Sequence, residues 1–152
     1  LFIRHGHGTQ TWSDGPKYVG EWENSRRHGY GTMIFADESK YVGEWENDKP
    51  HGKGTGTTPN DDIKYIGEFK NGVRDGQGTE ISKDGSKYVG TFKNDLYHGQ
   101  GISSFPDGTK YVGEHKESIP HGYGTYTYPN GTKEEGMWHE GKFVEVDESK
   151  KN

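Results

Sequence analysis

Five histidines stand at equivalent places in this chain, His5, His28, His51, His98 and His121, each followed by Gly-x-Gly. A column of imidazoles raises the chemistry of a bound transition metal. Equivalent residues on successive β-hairpins lie about 9–10 Å apart, whereas ligating His nitrogens sit about 2.0–2.1 Å from a shared Zn²⁺. Asp75 also takes the His place in one unit. The spacing therefore predicts a turn or capping role for these histidines, with no metal and no cofactor. There are no cysteines, so neither a disulfide framework nor a thiolate site can form. Ser, His and Asp side chains are present, but none lies at a nucleophile elbow. Every glycine pattern belongs to one repeat, so no phosphate-cradling loop stands apart. The chain is expected not to be an enzyme.

The second chemistry-bearing set is aromatic and acidic. Tyr18, Trp22, Tyr41, Trp45, Tyr65, Phe69, Tyr88, Phe92 and Tyr111 recur in phase, and Glu21, Glu44, Glu68 and Glu114 recur one residue out of phase, with Thr91 interrupting them. On strands, that offset puts rings on one face and carboxylates on the other. An apolar row edged by charge fits a partner surface. The candidate partner contacts are those nine rings together with Glu44 and Glu68. The plain alternative is that the rings form core and the carboxylates a solvated face.

The elements that must position these residues follow from a repeat. Lys40 to Gly54, KYVGEWENDKPHGKG, is its clearest copy. Tyr-x-Gly-x-Trp marks return at Tyr18, Tyr41, Tyr65, Tyr88 and Tyr111, with Glu134-Gly136-Trp138 a decayed form and His115 in the Trp place. The period is 23 residues, with one added residue in the Pro-containing stretch 57–62. Within a unit the apolar period is two, the signature of strands. Asp14-Gly15, Asp84-Gly85, Asp107-Gly108 and Asn130-Gly131 supply turns between units, and Asn24, Asn47, Asn71 and Asn94 the turns within them. Glycine normally weakens a strand; here it shares a face with large rings, which predicts rings lying across bare glycine backbone. One ring buries about 150–250 Å², about 4–6 kcal/mol as an upper bound.

Bulk composition sets limits on the fold. Of 152 residues, 26% are hydrophobic, 28% charged and 25 are glycine, values that lean towards disorder. The 13% aromatic content, placed periodically, argues instead for a thin folded protein. A net charge of −5 with interspersed signs excludes nucleic acid as the expected partner and weighs against anionic membranes. No apolar run reaches the roughly 18 residues of a transmembrane helix. Leu1 is not an initiator Met and falls in mid-repeat, which predicts a piece of a longer chain.

Together these marks resemble the MORN (membrane occupation and recognition nexus) repeat over roughly residues 1 to 141. The resemblance implies an all-β protein, an elongated twisted single-layer antiparallel sheet of about six stacked hairpins. Twelve strands about 4.8 Å apart would span about 55 Å. The array is expected over 1–146, with a polar tail at 147–152. For function the resemblance implies a non-catalytic scaffold that binds a protein or an extended peptide. Alternatives are a phosphoinositide-binding membrane module, with Arg26-Arg27 the best short basic cluster, and a regulatory part of a larger enzyme. Open edge strands invite homodimers or end-to-end association. The expected setting is cytoplasmic, at a membrane or the cytoskeleton.

Overall fold

The computed structural model describes residues 3–144; the expected polar tail at 147–152 and the end of the array at 145–146 lie outside them. Thirteen strands form one open antiparallel sheet in strict chain order. They are β1 (Gly6–Thr11), β2 (Lys17–Glu23), β3 (Arg26–Ile34), β4 (Lys40–Glu46), β5 (Lys49–Thr57), β6 (Ile63–Lys70) and β7 (Val73–Ser82). The remainder are β8 (Lys87–Lys93), β9 (Leu96–Ser104), β10 (Lys110–Lys116), β11 (Ile119–Thr127), β12 (Lys133–His139) and β13 (Lys142–Val144). The expected all-β single layer is what forms. It has one strand more than the twelve expected, because Lys142–Val144 pairs with β12 beyond the last full unit.

Two kinds of turn join the strands. Within a unit the turn residues both take positive φ, as at Asn47 (50°) and Asp48 (67°) or Asn71 (50°) and Gly72 (88°). That is the conformation whose twist suits a two-residue hairpin, and Asn tolerates it. Between units, Asp-Gly loops close on themselves: Asp84 accepts the Ser86 N–H at 2.8 Å and Asp107 the Thr109 N–H at 2.8 Å. The added residue is absorbed in a single 3-10 turn at Pro59–Asp61, on the surface between β5 and β6.

Register explains the recurring His-Gly-x-Gly. Its second glycine joins a column that runs without a break from β1 to β12, Gly8, Gly20, Gly31, Gly43, Gly54, Gly67, Gly78, Gly90, Gly101, Gly113, Gly124 and Gly136. Its first glycine sits in a bulge. Gly43 pairs with Gly54 and Trp45 with Pro50, so a two-residue step on β4 faces a four-residue step on β5. The extra residues demand a positive φ, which Gly52 takes at 92° and Gly76 at 104°. Asp75 stands in for His without disturbing this backbone.

Candidate functional site

The tyrosines are the framework of the ring face. Each ring lies over the glycine pair beside it, so a Cβ on Gly54 would come within 2.6 Å of the Tyr41 ring. The ring leans that far because its hydroxyl has a target across the bulge. Tyr18 Oη donates to the Glu21 carbonyl at 2.9 Å, Tyr41 to Glu44 at 2.7 Å, Tyr65 to Glu68 at 2.7 Å, Tyr88 to Thr91 at 2.8 Å and Tyr111 to Glu114 at 2.8 Å. Burial pushes the phenols of Tyr18, Tyr65, Tyr88 and Tyr111 up to about 12.

Between the tyrosines stands the second aromatic column, Trp22, Trp45, Phe69, Phe92, His115 and Trp138. The two columns meet edge to face, with Tyr41 5.1 Å from Trp45 and 4.9 Å from Phe69. Such geometry suits the ring quadrupoles. The indoles are also satisfied: Trp45 Nε1 donates to the Gly31 carbonyl at 3.1 Å and Trp138 Nε1 to Gly124 at 3.1 Å. His115 is buried in the same role, its Nδ1 3.1 Å from the Gly113 carbonyl and its Nε2 3.2 Å from Ser103 Oγ. Burial lowers its pKa below the ordinary histidine value.

Of the nine rings expected to contact a partner, eight are buried and Phe69 is half-buried. Exposure of the ring row is therefore confined to one place among these nine rings. Elsewhere the rings close on each other and under a roof of neighbouring side chains. Arg27 lies 4.9 Å over Trp45, anchored by Nε on Asp48 at 3.1 Å, and Met33 is buried alongside. Arg74 lies 5.0 Å over Phe92 and pairs with Glu80. Tyr97 stacks on Tyr88 at 3.8 Å. At Phe69 the matching residues are Pro50 and Gly56, the smallest pair in their columns. Without a roof, a notch of about 340 Å³ opens there, lined by Phe35, Ile63, Tyr65, Phe69 and Gly56. The neighbouring units carry no glycine at the Gly56 place, and that break in the repeat was the signal in the sequence.

The opposite face differs from expectation in its acids. Glu21, Glu44, Glu68 and Glu114 do lie there, but each carboxylate accepts the backbone N–H freed by the bulge. Glu21 takes Tyr30 N–H at 2.6 Å and Glu114 takes Tyr123 N–H at 2.9 Å; Glu44 and Glu68 do the same for Lys53 and Gln77. Their first work is to satisfy the backbone. Three of the five repeat histidines, His5, His51 and His121, serve the hairpin turns in a similar way. His51 Nδ1 accepts Asn71 N–H at 3.3 Å and His121 Nδ1 accepts Glu140 N–H at 3.3 Å. His51 Nε2 then faces Glu46 at 3.5 Å.

Sequence reasoning missed the residues that immediately precede the repeat tyrosines and Glu134, which stands in the tyrosine place of the last unit. Lys17, Lys40, Lys64, Lys87, Lys110 and Lys133 form one exposed column on this face, alternating across the sheet with Ile34, Thr57, Ile81, Ser104 and Thr127. Beside it runs Val19, Thr32, Val42, Thr55, Ile66, Thr79, Val89, Ile102, Val112 and Thr125. Because the lysines are a full repeat apart in sequence, no linear cluster betrays them.

Among the described residues no group of His, Asp and Glu is assembled to hold a metal, and no helix is long and apolar enough to cross a membrane. No curated protein matches the chain at a significant level. A family description, the MORN repeat, matches residues 3–17, 18–40, 41–63, 65–87, 88–110 and 111–133. The match falls on the hairpins, bulges and ring columns of the sheet, and this chain belongs to the MORN repeat family.

Proposed function

We propose that the chain is a non-catalytic binding scaffold whose ring face receives one apolar side chain of a partner protein at the Phe69 notch. The observation that carries this reading is the contrast within the repeat: every other rung of the described ring face is closed over, and only the rung between Tyr41 and Tyr65 leaves a ring edge open. A volume of about 340 Å³ falls at the small end of side-chain and ligand pockets. The neighbouring rung indicates the shape that fits. There the equivalent space is filled by an unbranched thioether, Met33, beneath a guanidinium, Arg27. A Met-like or aromatic anchor held by an extended partner segment would complete the Phe69 rung in the same way.

Selection of displayed peptides on the wild-type chain tests this. Peptides sharing one Met or aromatic anchor are expected, and Gly56→Met, which fills the notch from within, should weaken them about tenfold or more while the fold persists. Peptides bound equally well by Gly56→Met would refute the notch as the site.

A further inference from the structure

The lysine column belongs to no part of that reading. Its six members are exposed, and among the described residues none makes an ion pair. Nearby Asp37, Asp84 and Asp107 are turned back onto their own loops, where they accept N–H groups from Ser39, Ser86 and Thr109. Alongside runs an apolar stripe that keeps Ile66, Val89, Ile102 and Val112 each about two-fifths exposed. On the side of the stripe away from the lysines lies a trough of about 510 Å³, bounded by Val42, Thr55, Ile66, Tyr30, Lys53 and Glu68. Charge on one side and aliphatic surface on the other describe a single elongated site.

The geometry points to an acidic, extended segment of a partner protein as its occupant, laid across the strands along Lys17 to Lys133. Successive lysines are two strands apart, about 9.6 Å. An extended chain rises about 3.3 Å per residue, so an acidic residue at every third position meets each lysine in turn. The intervening side chains then rest on the Val/Thr/Ile stripe. The glutamate column of the same face lies four residues along the strand from the lysines, about 13 Å. That exceeds the roughly 8 Å Debye length at physiological salt, so a narrow segment over Lys17 to Lys110 feels the lysines more than that column. Only at the β12 end does an acid come closer, where Glu135 stands two residues from Lys133 and accepts the Tyr123 hydroxyl at 2.7 Å. A flat anionic membrane would press on both columns at once. Strands in a sheet also rotate by roughly 20–25° each, so the column winds across the sheet, and a flexible segment follows it where a plane or a rigid second sheet cannot.

The test uses the whole chain and a fluorescein-labelled peptide of five Glu-Val-Thr triplets, with a Lys-Val-Thr peptide as control. The acidic peptide should bind at low ionic strength, the basic one should not, and added salt should release the complex. Lys64→Glu with Lys87→Glu, both on exposed positions, should weaken it about tenfold or more, while circular dichroism stays unchanged. Gly56→Met should leave it intact, which separates this face from the notch. Failure of the acidic peptide to bind, or indifference to the lysine reversals, would overturn the assignment. So would phosphatidylserine vesicles that bind the chain through the same lysines while the peptide does not; that outcome would give the column to a lipid surface.

Discussion

Two neighbouring rungs of the ring face share a backbone and differ in their cover. Around Trp45, the ring meets Tyr18 at 5.3 Å and Tyr41 at 5.1 Å, with Arg27 and Met33 above. Around Phe69, the ring meets Tyr41 at 4.9 Å and Tyr65 at 5.0 Å, with Pro50 and Gly56 in the matching places. The frame of glycine, tyrosine and bulge is thus independent of the roof. Stability resides in the frame, which is repeated, and individuality in the roof, which is free to vary. That division lets one rung open without loosening its neighbours, as expected where each unit contacts only the next.

The largest effect should come from breaking the frame itself. Gly54→Ala sets a methyl against the Tyr41 ring, at 2.6 Å from its Cε2. The ring cannot swing away without losing its hydrogen bond to the Glu44 carbonyl. Overpacking of this kind costs about 3 kcal/mol, and urea denaturation should show it. The same change at Gly56, where an added Cβ finds only Phe69 Cζ at 3.6 Å, should be harmless. Equal losses at both positions would erase the distinction between frame and roof.

Next in size is the collective response of the tyrosines to alkali. Their phenols, held by burial at about 12 for Tyr18, Tyr65, Tyr88 and Tyr111, ionise near 10 when unfolded. Above pH 10 the unfolded chain therefore carries fewer protons than the folded one, and stability falls as pH rises towards 12. The share of phenolate absorbance that belongs to these four buried rings should rise together with loss of the strand signal. Tyr41→Phe removes one hydroxyl and leaves the Glu44 carbonyl without its donor, at a cost of about 1–2 kcal/mol.

Gly56→Met should act in the opposite direction. It supplies the Phe69 rung with the roof that Met33 gives Trp45, and it removes glycine's freedom from the unfolded chain. A gain of about 1 kcal/mol is expected, read as a raised melting temperature. A variant both more stable and poorer at binding would mark the notch as a place where cover has been left out for function.

Much of this frame was legible in the sequence because period fixes register. Tyr41, Gly43 and Trp45 on one face, Asn-containing turns, and rings over glycine all follow from a spacing of two within a spacing of 23. The turn role of His5, His51 and His121 also followed, from the distance between units and from Asp75 in the His place. Period could not convey which face closes. Ring burial depends on rotamers that let Tyr18 and Trp45 meet edge to face across three strands, and on Arg27 reaching back over both. The backbone role of the carboxylates was hidden for a related reason. Alternation places Glu44 outward, but only the bulge at Gly52 reveals a free N–H for it to hold. The lysine column needed register as well, since its members are separated by whole units in the chain.

The smallest and most local effect belongs to His115, which stands where Trp45 and Trp138 stand in their rungs. Its imidazole is packed between Tyr88 at 5.0 Å and Tyr111 at 4.9 Å, and burial lowers its pKa below 6.5. As pH falls through 6.5 the unfolded chain takes up a proton that the folded chain refuses. Stability contributed by this rung is therefore full above 6.5 and declines as pH drops towards the depressed folded value. His115→Phe keeps a planar ring in the slot, as Phe92 does one unit earlier, and has no proton to gain. It should flatten the stability curve on the acid side of about pH 6.5 and leave the curve at pH 8 nearly unchanged. An acid slope that survives the substitution would place the sensitive group outside this rung.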